Sequence, residues 1–198
     1  MFISFEGIEG SGKSTQIEHL KQFFQTRGND VVVTQEPGGT IFGKLIRQIV
    51  LDPKTQFNDR NTELLLFFAD RLEHVQTVIQ PALNAGKIVL CDRYIDSTWA
   101  YQGGGRQLSD IVVGGLNGLV TLMPDITILF DIDPKEGLRR AQKRAQLDRF
   151  EQEDLGFHQN VRTVYLERAT QYSERIHVID VNHKSVEDIN REVIILMD

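Results

Sequence analysis

The sequence has little cysteine and no long apolar run. One cysteine among 198 residues excludes a disulfide framework and a cysteine-rich zinc site, and is typical of a reducing compartment. No stretch approaches the roughly 18–20 apolar residues that cross a membrane. The first residues lack the basic and apolar regions of a secretory signal. We therefore expect a cytoplasmic protein with no membrane partner.

Positive charge is also in short supply, because 22 Lys and Arg residues stand against 28 Asp and Glu residues, a formal net charge of −6. This balance argues against bulk binding of nucleic acid. Apolar residues make up 40% of the chain, as in ordinary globular proteins. The length and the absence of a Pro/Ser/Gly linker predict one domain over residues 1–198, with an inserted lid segment at about 139–153.

Short apolar runs alternate with longer helical stretches along the chain. The runs, which are four or five residues long and typical of strands buried on both faces of a parallel sheet, are Phe2–Phe5, Val31–Thr34, Ile88–Cys91, Ile126–Phe130 and His177–Val181. Helices are predicted over Ser14–Arg27 and Asn61–Ala85, and others begin at Pro134 and Ser185. This alternation predicts right-handed βαβ crossovers, hence an α/β fold with a parallel sheet.

The stretch Asn61–Ala85 carries apolar residues at steps of three and four, which predict one buried helix face: Leu64, Phe68, Leu72, Val75, Ile79 and Leu83. Phe67 and Arg71 lie four residues apart on a neighbouring face. They could stack a base and hydrogen-bond its edge. From the pattern alone, we favour a partly buried phenylalanine with a surface arginine over it.

The strongest motif is Gly7-Ile8-Glu9-Gly10-Ser11-Gly12-Lys13-Ser14, which fits the phosphate-binding P-loop G-x-x-x-x-G-K-[ST] between a predicted strand and a predicted helix. Its backbone N–H groups and the positive helix N-terminus would face phosphate oxygens. Lys13 would reach the β- and γ-phosphates, and Ser14 could ligate Mg²⁺. We therefore predict ATP binding by Gly7, Ile8, Glu9, Gly10, Ser11, Gly12, Lys13, Ser14 and Thr15.

Other motifs narrow the class of P-loop protein. The sequence contains neither the D-x-x-G switch nor the N-K-x-D guanine reader of GTPases. A turn, Glu36-Pro37-Gly38-Gly39, follows the second predicted strand, where ligands bind in open α/β sheets; it could hold a loop against the substrate or be a plain turn. Asp92-Arg93 ends the third strand, and Asp92 is a candidate acid for Mg²⁺, with Asp131 as a competing one.

A basic cluster lies at residues 139–149, where only Asp148 opposes Arg139, Arg140, Lys143, Arg144 and Arg149. It contains like-charged pairs at i,i+4, which are unfavourable unless an anion lies between them. The cluster could be a solvated helix face, but this spacing favours anion binding. A lid that closes over a triphosphate would have this composition.

The segments FEGIEGSGKST, EPGGT, LLFFADR, CDRYIDSTWAYQGGGR and LDRFEQED resemble, in this order, the motifs of bacterial thymidylate kinases. The quoted segments lie between Phe5 and Asp154, and the resemblance spreads from residue 2 to about residue 165. The resemblance implies the P-loop nucleoside monophosphate kinase fold: a five-stranded parallel sheet with helices on both faces, and a short lid. It also implies phosphoryl transfer from ATP to dTMP with Mg²⁺, and a homodimer in which the helix at 61–85 could supply the interface.

The resemblance further implies roles for single residues. Lys13 would hold the β- and γ-phosphates, Arg93 would grip the phosphates at the transfer point, and Ser14 and Asp92 would hold Mg²⁺ or its water. The dTMP site would consist of Glu9 near the 3′-hydroxyl, Arg47 on the monophosphate, Phe67 stacked on thymine, Arg71 and Gln102 on its edge, Thr98 beside that edge, Tyr101 near the sugar 2′ position, and Glu36 and Arg93.

Two features distinguish this chain within the resemblance. Some members carry an arginine in the P-loop, whereas the matching stretch here, Ile8-Glu9-Gly10-Ser11, has none. The lid would then supply the catalytic cation, with Arg149 as first choice and Arg144 as second. Gln35 stands where bacterial relatives often have arginine. Three alternatives remain open: another P-loop nucleotide or nucleoside kinase, a non-enzymatic ATP-binding regulator, and a broadly acting ATPase.

Overall fold

The computed structural model describes residues 1–143 and 147–197. These residues form a five-stranded parallel sheet with the order β2-β3-β1-β4-β5. The strands are β1 Phe2–Glu6, β2 Val31–Gln35, β3 Ile88–Asp92, β4 Ile126–Asp131 and β5 Ile176–Asp180. All five predicted strands are confirmed, each to within one residue at either end.

The central strand β1 directs the chain into the cleft. All its residues are buried, and they alternate between the two faces of the sheet, since Phe2 packs into one apolar core and Ile3 and Phe5 into the other. Phe5 pairs with Asp92 of β3 and with Ile128 of β4. The carboxyl ends of these strands therefore meet at one edge of the sheet, where the P-loop begins.

Helices cover both faces, as predicted: α1 Lys13–Thr26, α2 Ile41–Leu51, α3 Arg60–His74, α4 Gln80–Asn84, α5 Ile95–Thr98, α6 Asp110–Asn117, α7 Pro134–Gln142, α8 Leu155–Gln171 and α9 Val186–Ile195, with π-helical segments at Val75–Ile79 and Trp99–Gly105. The predicted starts of two helices are confirmed. Pro134 is the first residue of α7, and Ser185 with Asp188 forms a complete capping box before α9. No helix among the described residues is long and apolar enough to span a membrane.

The helix predicted over Asn61–Ala85 is α3, a π-helical segment and α4 in succession. Its predicted apolar face is only partly right, because Leu72 is 40% exposed. Each step of four residues advances about 40° around a helix, so Leu72 lies roughly 80° from the buried Leu64. The face that turns inward carries polar residues beside the apolar Leu64 and Phe68, namely Glu63, Asp70, Arg71 and His74.

Candidate active site

A cleft opens at the carboxyl edge of the sheet, between the P-loop, the loop after β2, α3 and the end of β3. Most of the residues predicted to bind or react line it: Glu9, Gly10, Gly12, Lys13, Ser14, Thr15, Glu36, Arg47, Phe67, Arg71, Asp92, Arg93, Thr98, Tyr101 and Gln102. Gly7, Ile8 and Ser11 belong to the same loop but do not line the cleft. Residues far apart in the sequence are therefore brought together here.

The P-loop needs glycine where it packs against neighbouring backbone. Gly7 has a φ of 132°, and a Cβ there would lie 2.4 Å from the carbonyl oxygen of Phe130. Gly10 has a φ of 73°, and a Cβ there would lie 2.1 Å from the carbonyl oxygen of Gly137 in α7. Both positions combine the left-handed region with a contact that excludes any side chain. The loop is thus held tightly between β4 and α7.

Lys13 closes the P-loop from inside. Its Nζ donates to the carbonyl oxygens of Gly7 at 2.9 Å and Ile8 at 3.1 Å. Burial and the charge of Arg93 lower the pKa of Lys13 to about 8, against the opposing effect of Asp92 and Glu9. A phosphate group bound beside Lys13 would supply a negative charge that stabilises the protonated ammonium group.

Two oxygen ligands suited to Mg²⁺ lie side by side in the cleft. The Ser14 hydroxyl donates to Asp92 Oδ2 at 3.3 Å. The competing candidate, Asp131, is already bound by both Nε and Nη2 of Arg162, at 2.6 and 2.8 Å. Among the described residues, no cluster of three His, Cys, Asp or Glu side chains could hold a metal by itself. Magnesium commonly uses one or two carboxylates plus phosphate and water, so Ser14 and Asp92 fit it.

Arg93 forms the junction between the P-loop and the rest of the cleft. Its φ is 68°, an uncommon value for a residue other than glycine and one that often marks functional sites. Its guanidinium donates to the Gly7 carbonyl oxygen and to Glu9 Oε1, both at 2.9 Å. Tyr101 donates its hydroxyl to the same Glu9 oxygen at 2.6 Å. The structure thus brings together the residues expected near the two sugar positions.

His158 is a site residue that the sequence analysis missed. It is fully buried on α8, and its Nδ1 lies 3.5 Å from Glu9 Oε2. Burial alone would raise the pKa of Glu9, but Arg93, His158 and Lys13 together hold it well below its usual range. The histidines lack metal-ligand spacing, and no other local signal distinguishes His158, since it faces a residue 149 positions away in the chain.

Arg71 is 1% exposed, so the interpretation of a surface arginine is wrong. Its Nε donates to Glu36 Oε2 at 2.7 Å, its Nη1 to Thr98 Oγ1 at 2.9 Å and its Nη2 to the Tyr94 carbonyl oxygen at 2.9 Å. The sequence pattern missed these partners because each comes from another element. Three of its five N–H groups are used in this way.

Glu36 is held from two sides and fixes the loop after β2. Besides Arg71, it is bonded by His74, whose Nδ1 lies 2.9 Å from Oε1. A carboxylate only accepts, so Nδ1 carries the proton. His74 Nε2 lies 2.6 Å from Thr34 Oγ1. These contacts therefore fix the turn at Glu36 as part of the cleft wall.

Other residues that line the cleft are aromatic or cationic. Phe67 lies 6.0 Å from Phe150 between ring centroids, and Phe150 meets Tyr101 edge to face at 5.5 Å. Arg47, which also lines the cleft, donates to the Pro37 carbonyl oxygen at 2.8 Å. Burial and the charge of Arg93 lower the pKa of Arg47. Two neighbouring cations in a cleft that is also lined by aromatic rings can hold a phosphate and an aromatic base.

Arg149 does not line the cleft. Its Nε donates to the Val50 carbonyl oxygen at 2.8 Å, and its Nη2 donates to Glu63 Oε2 at 2.7 Å. Arg144 lies outside the described residues. Arg139 and Arg140 both pair with Glu136, each at 2.7 Å. Because Glu136 lies one turn before the basic run and offsets both charges, the like-charged pairs do not require a bound anion.

The fold and the site together identify the class of protein. The strand order, the P-loop that leaves the central strand, and the cleft at the carboxyl edge are those of a P-loop kinase with the nucleoside monophosphate kinase fold. The family model for thymidylate kinase matches residues 5–193. The chain belongs to the thymidylate kinase family.

Individual relatives agree with this assignment. The chain is 50% identical over 182 residues to a thymidylate kinase from Ectopseudomonas mendocina, covering 91% of this chain and 87% of that one. It is 46% identical over 191 residues to the thymidylate kinase of Desulfovibrio desulfuricans, covering 92% and 88% of the two chains. A crystal structure of thymidylate kinase from Ehrlichia chaffeensis superposes with a TM-score of 0.81 at 37% identity, covering 100% of this chain and 97% of that one.

The environment of Asp70 predicts that the stability of the protein depends on pH. It is buried beside Glu36, its Oδ1 accepts from the Gly38 N–H at 3.2 Å, and burial and Glu36 raise its pKa to about 6 from a usual value of 3.8. Between these two pH values the folded state keeps a proton that the unfolded state loses. Stability from this group is therefore complete below about pH 4 and falls as the pH rises through 6.

Asp70→Asn should remove this loss. From pH 4 to 7, the free energy of unfolding of the wild type should fall relative to the variant by roughly 2–3 kcal/mol. Urea denaturation at pH 4, 5.5 and 7 measures this difference. Asp30→Asn, at an exposed aspartate, is the control and should follow the wild type. Parallel pH profiles for wild type and Asp70→Asn would contradict the assignment.

Proposed function

We propose that this protein transfers the γ-phosphoryl group of ATP to the monophosphate of dTMP, giving ADP and dTDP. The observation that carries the proposal is one cleft that is lined both by P-loop residues and by Phe67, Phe150, Arg47 and Arg93. Membership of the thymidylate kinase family supports the same substrate pair. The donor side consists of residues 7–15. The acceptor side consists of α3 and the segment from Arg93 to Gln102, together with Glu9, Glu36 and Arg47.

On the donor side, Lys13 neutralises charge on the β- and γ-phosphates, aided by backbone N–H groups at the start of α1. Ser14 and Asp92 are the residues that would hold Mg²⁺. When bound, Mg²⁺ neutralises charge on the β- and γ-phosphates. Arg93 lies between the two substrates, where its guanidinium can bridge oxygens of both phosphate groups.

On the acceptor side, Arg47 with Arg93 holds the monophosphate. Glu9 accepts from the sugar 3′-hydroxyl, and Tyr101, fixed by its hydrogen bond to Glu9, occupies space near the 2′ position and disfavours ribose. Phe67 stacks on the base. The buried carboxylate of Glu36 keeps Arg71 in place at the base edge.

The base edge is read by Arg71 and Gln102, with Thr98 beside them. Arg71 has N–H groups left to donate to O4 of thymine, and Gln102 pairs with the neighbouring N3. A methyl group at C5 contributes about 1–3 kcal/mol of favourable binding free energy in an apolar pocket. The site should therefore accept uracil but bind it more weakly than thymine. Cytosine has an amino group where thymine has O4, so its edge does not match the site.

Phosphoryl transfer of this kind needs little covalent help from the protein. The transition state is loose and highly charged, so positioning and neutralisation are the main contributions. The acceptor is already an anionic phosphate, so no general base is required. Exclusion of water from the cleft prevents hydrolysis of ATP.

A panel of acceptors tests the proposal directly. With ATP and Mg²⁺, we expect kcat/KM to be highest for dTMP, lower for dUMP, and poor for UMP, dCMP and purine monophosphates. Lys13→Met is the control: it should fold normally yet lose nearly all transfer, because the β- and γ-phosphates lose their point charge. Equal kcat/KM for AMP and dTMP, or ATP turnover that no acceptor increases, would refute the proposal.

We propose that residues 139–153 act as a lid on one domain that spans residues 1–198, and that the lid arginines stabilise the transferred group. The P-loop lacks arginine, so the lid would supply the catalytic cation through Arg149 or Arg144. Arg149 is bound to Glu63 in the structure. It must therefore exchange that carboxylate for phosphate oxygens in order to act.

Arg149→Ala should lower kcat by roughly 10²-fold and raise KM for dTMP much less, the signature of an interaction made in the transition state. Arg149→Lys should restore activity only in part, because an ammonium group cannot bridge two oxygens. Steady-state kinetics with thermal melting as the folding control measure both effects. If Arg149→Ala, Arg144→Ala and the double variant all keep the wild-type kcat, the catalytic cation lies elsewhere.

We further propose that the protein is a cytoplasmic homodimer joined through α2 and α3. An apolar surface on these packed helices is exposed, with Ile41 at 86%. Its members are Ile41, Phe42, Leu45, Ile49, Leu65 and Leu72. Contiguous apolar patches of this kind mark interaction surfaces.

Leu45→Glu should convert the dimer to a monomer, because a charge would be buried at the interface. Sedimentation should give about twice the chain mass of 22.6 kDa for the wild type and the single mass for the variant. Ile195→Glu, at an exposed site on α9, is the control and should remain dimeric. A monomeric wild type at micromolar concentration would overturn the assignment.

A further inference from the structure

Glu63 on α3 is a buried carboxylate that the roles above do not use. It is 2% exposed and is contacted from three sides. Gln102 Nε2 lies 2.9 Å from Oε1, Arg106 Nε lies 3.2 Å from both oxygens, and Arg149 Nη2 lies 2.7 Å from Oε2. Guanidinium groups only donate, so both Glu63 oxygens act as acceptors.

This arrangement determines which way the Gln102 amide points. A side-chain amide has a donor end and an acceptor end, and its orientation is decided by its partners. An acceptor-only carboxylate at 2.9 Å requires the NH₂ end of Gln102 to face Glu63. Gln102 lines the cleft, and no donor among residues 1–143 and 147–197 bonds its Oε1. The carbonyl end is therefore left for a ligand.

We propose that Glu63 is a specificity-positioning residue: it holds the Gln102 amide so that only an acceptor faces the base, and the site thereby selects a base with a ring N–H. The inference rests on the function proposed above. Glu63 acts through Gln102 and does not itself touch the substrate. Arg106 keeps Glu63 in place even when Arg149 leaves it.

The neighbouring Arg71 completes the pattern. Its unused N–H groups donate, while Gln102 Oε1 accepts, so the cleft presents a donor beside an acceptor. Thymine offers the complementary pair, a carbonyl oxygen at C4 and an N–H at N3. 5-Methylcytosine has the same shape and the same methyl group, but an amino group at C4 and a bare N3. The two bases differ only at the edge that this pair reads.

The test compares dTMP with 5-methyl-dCMP in the full-length protein. A site built to pair a polar edge rejects the mismatched partner by about 10⁴-fold or more in kcat/KM, and we expect this ratio for the wild type. Glu63→Gln puts an amide opposite Gln102, so the Gln102 side chain becomes free to flip its donor and acceptor ends. The ratio should then fall at least tenfold, because kcat/KM decreases for dTMP and increases for 5-methyl-dCMP. Glu63→Asp keeps an acceptor-only group and should retain more of the ratio.

Glu153→Gln is the matched control. It makes the same chemical change at the other carboxylate bonded to Arg106, without touching Gln102, so the ratio should stay at the wild-type value. A merely structural role for Glu63 would lower kcat/KM equally for both acceptors. An unchanged ratio in Glu63→Gln, with dTMP still phosphorylated by the wild type, overturns this inference and leaves the proposed function intact.

Gln102→Met keeps the inference testable if Glu63→Gln does not fold. Methionine removes the acceptor while keeping side-chain length, so it should reduce kcat/KM for dTMP and change 5-methyl-dCMP little. If Gln102 instead donated into the cleft, the variant would harm 5-methyl-dCMP and spare dTMP. That result would refute the proposed orientation. Failure of the wild type to phosphorylate dTMP would count against the proposed function itself.

Discussion

The cleft depends on one constraint: charges taken out of water must be paired. Its cations and carboxylates are largely buried, and a buried unpaired charge costs several kcal/mol. Glu36 therefore lies between Arg71 and His74, and Glu9 lies against Arg93. These pairs hold side chains from distant elements in fixed orientations before any ligand binds, and such preorganisation lowers the cost of binding and of reaction.

Helix α3 shows how this constraint reshapes an ordinary amphipathic helix. Its inward face carries Glu63, Asp70, Arg71 and His74 beside apolar residues, whereas Leu72 is turned outward. The helix thus lends Phe67 and Arg71 to the cleft and turns an apolar surface outward on another side. A packing role and a recognition role are combined in one element, because the 3.6-residue period presents different faces to different neighbours.

Much of the fold could be predicted because its signals are local. Strand residues are consecutive, and each of the five strands ends in a polar residue, as at Glu6, Asp92 and Asp131. The P-loop is also contiguous, and its glycines are required by backbone contacts at Gly7 and Gly10. The family motifs added the acceptor residues. Helical periodicity was less reliable, because it treats buried residues as apolar and α3 buries charge.

The sequence by itself determined the strands, the phosphate-binding loop and the family. These features depend on residues adjacent in the chain or on motifs in a set order. Only the tertiary structure decided which partner each charge has: Gln102 meets Glu63 across 39 residues, and His158 faces Glu9 from another helix. It also put Arg149 on Glu63 and away from the cleft. Pairing follows from the folding of distant segments into contact, and no local pattern encodes that geometry.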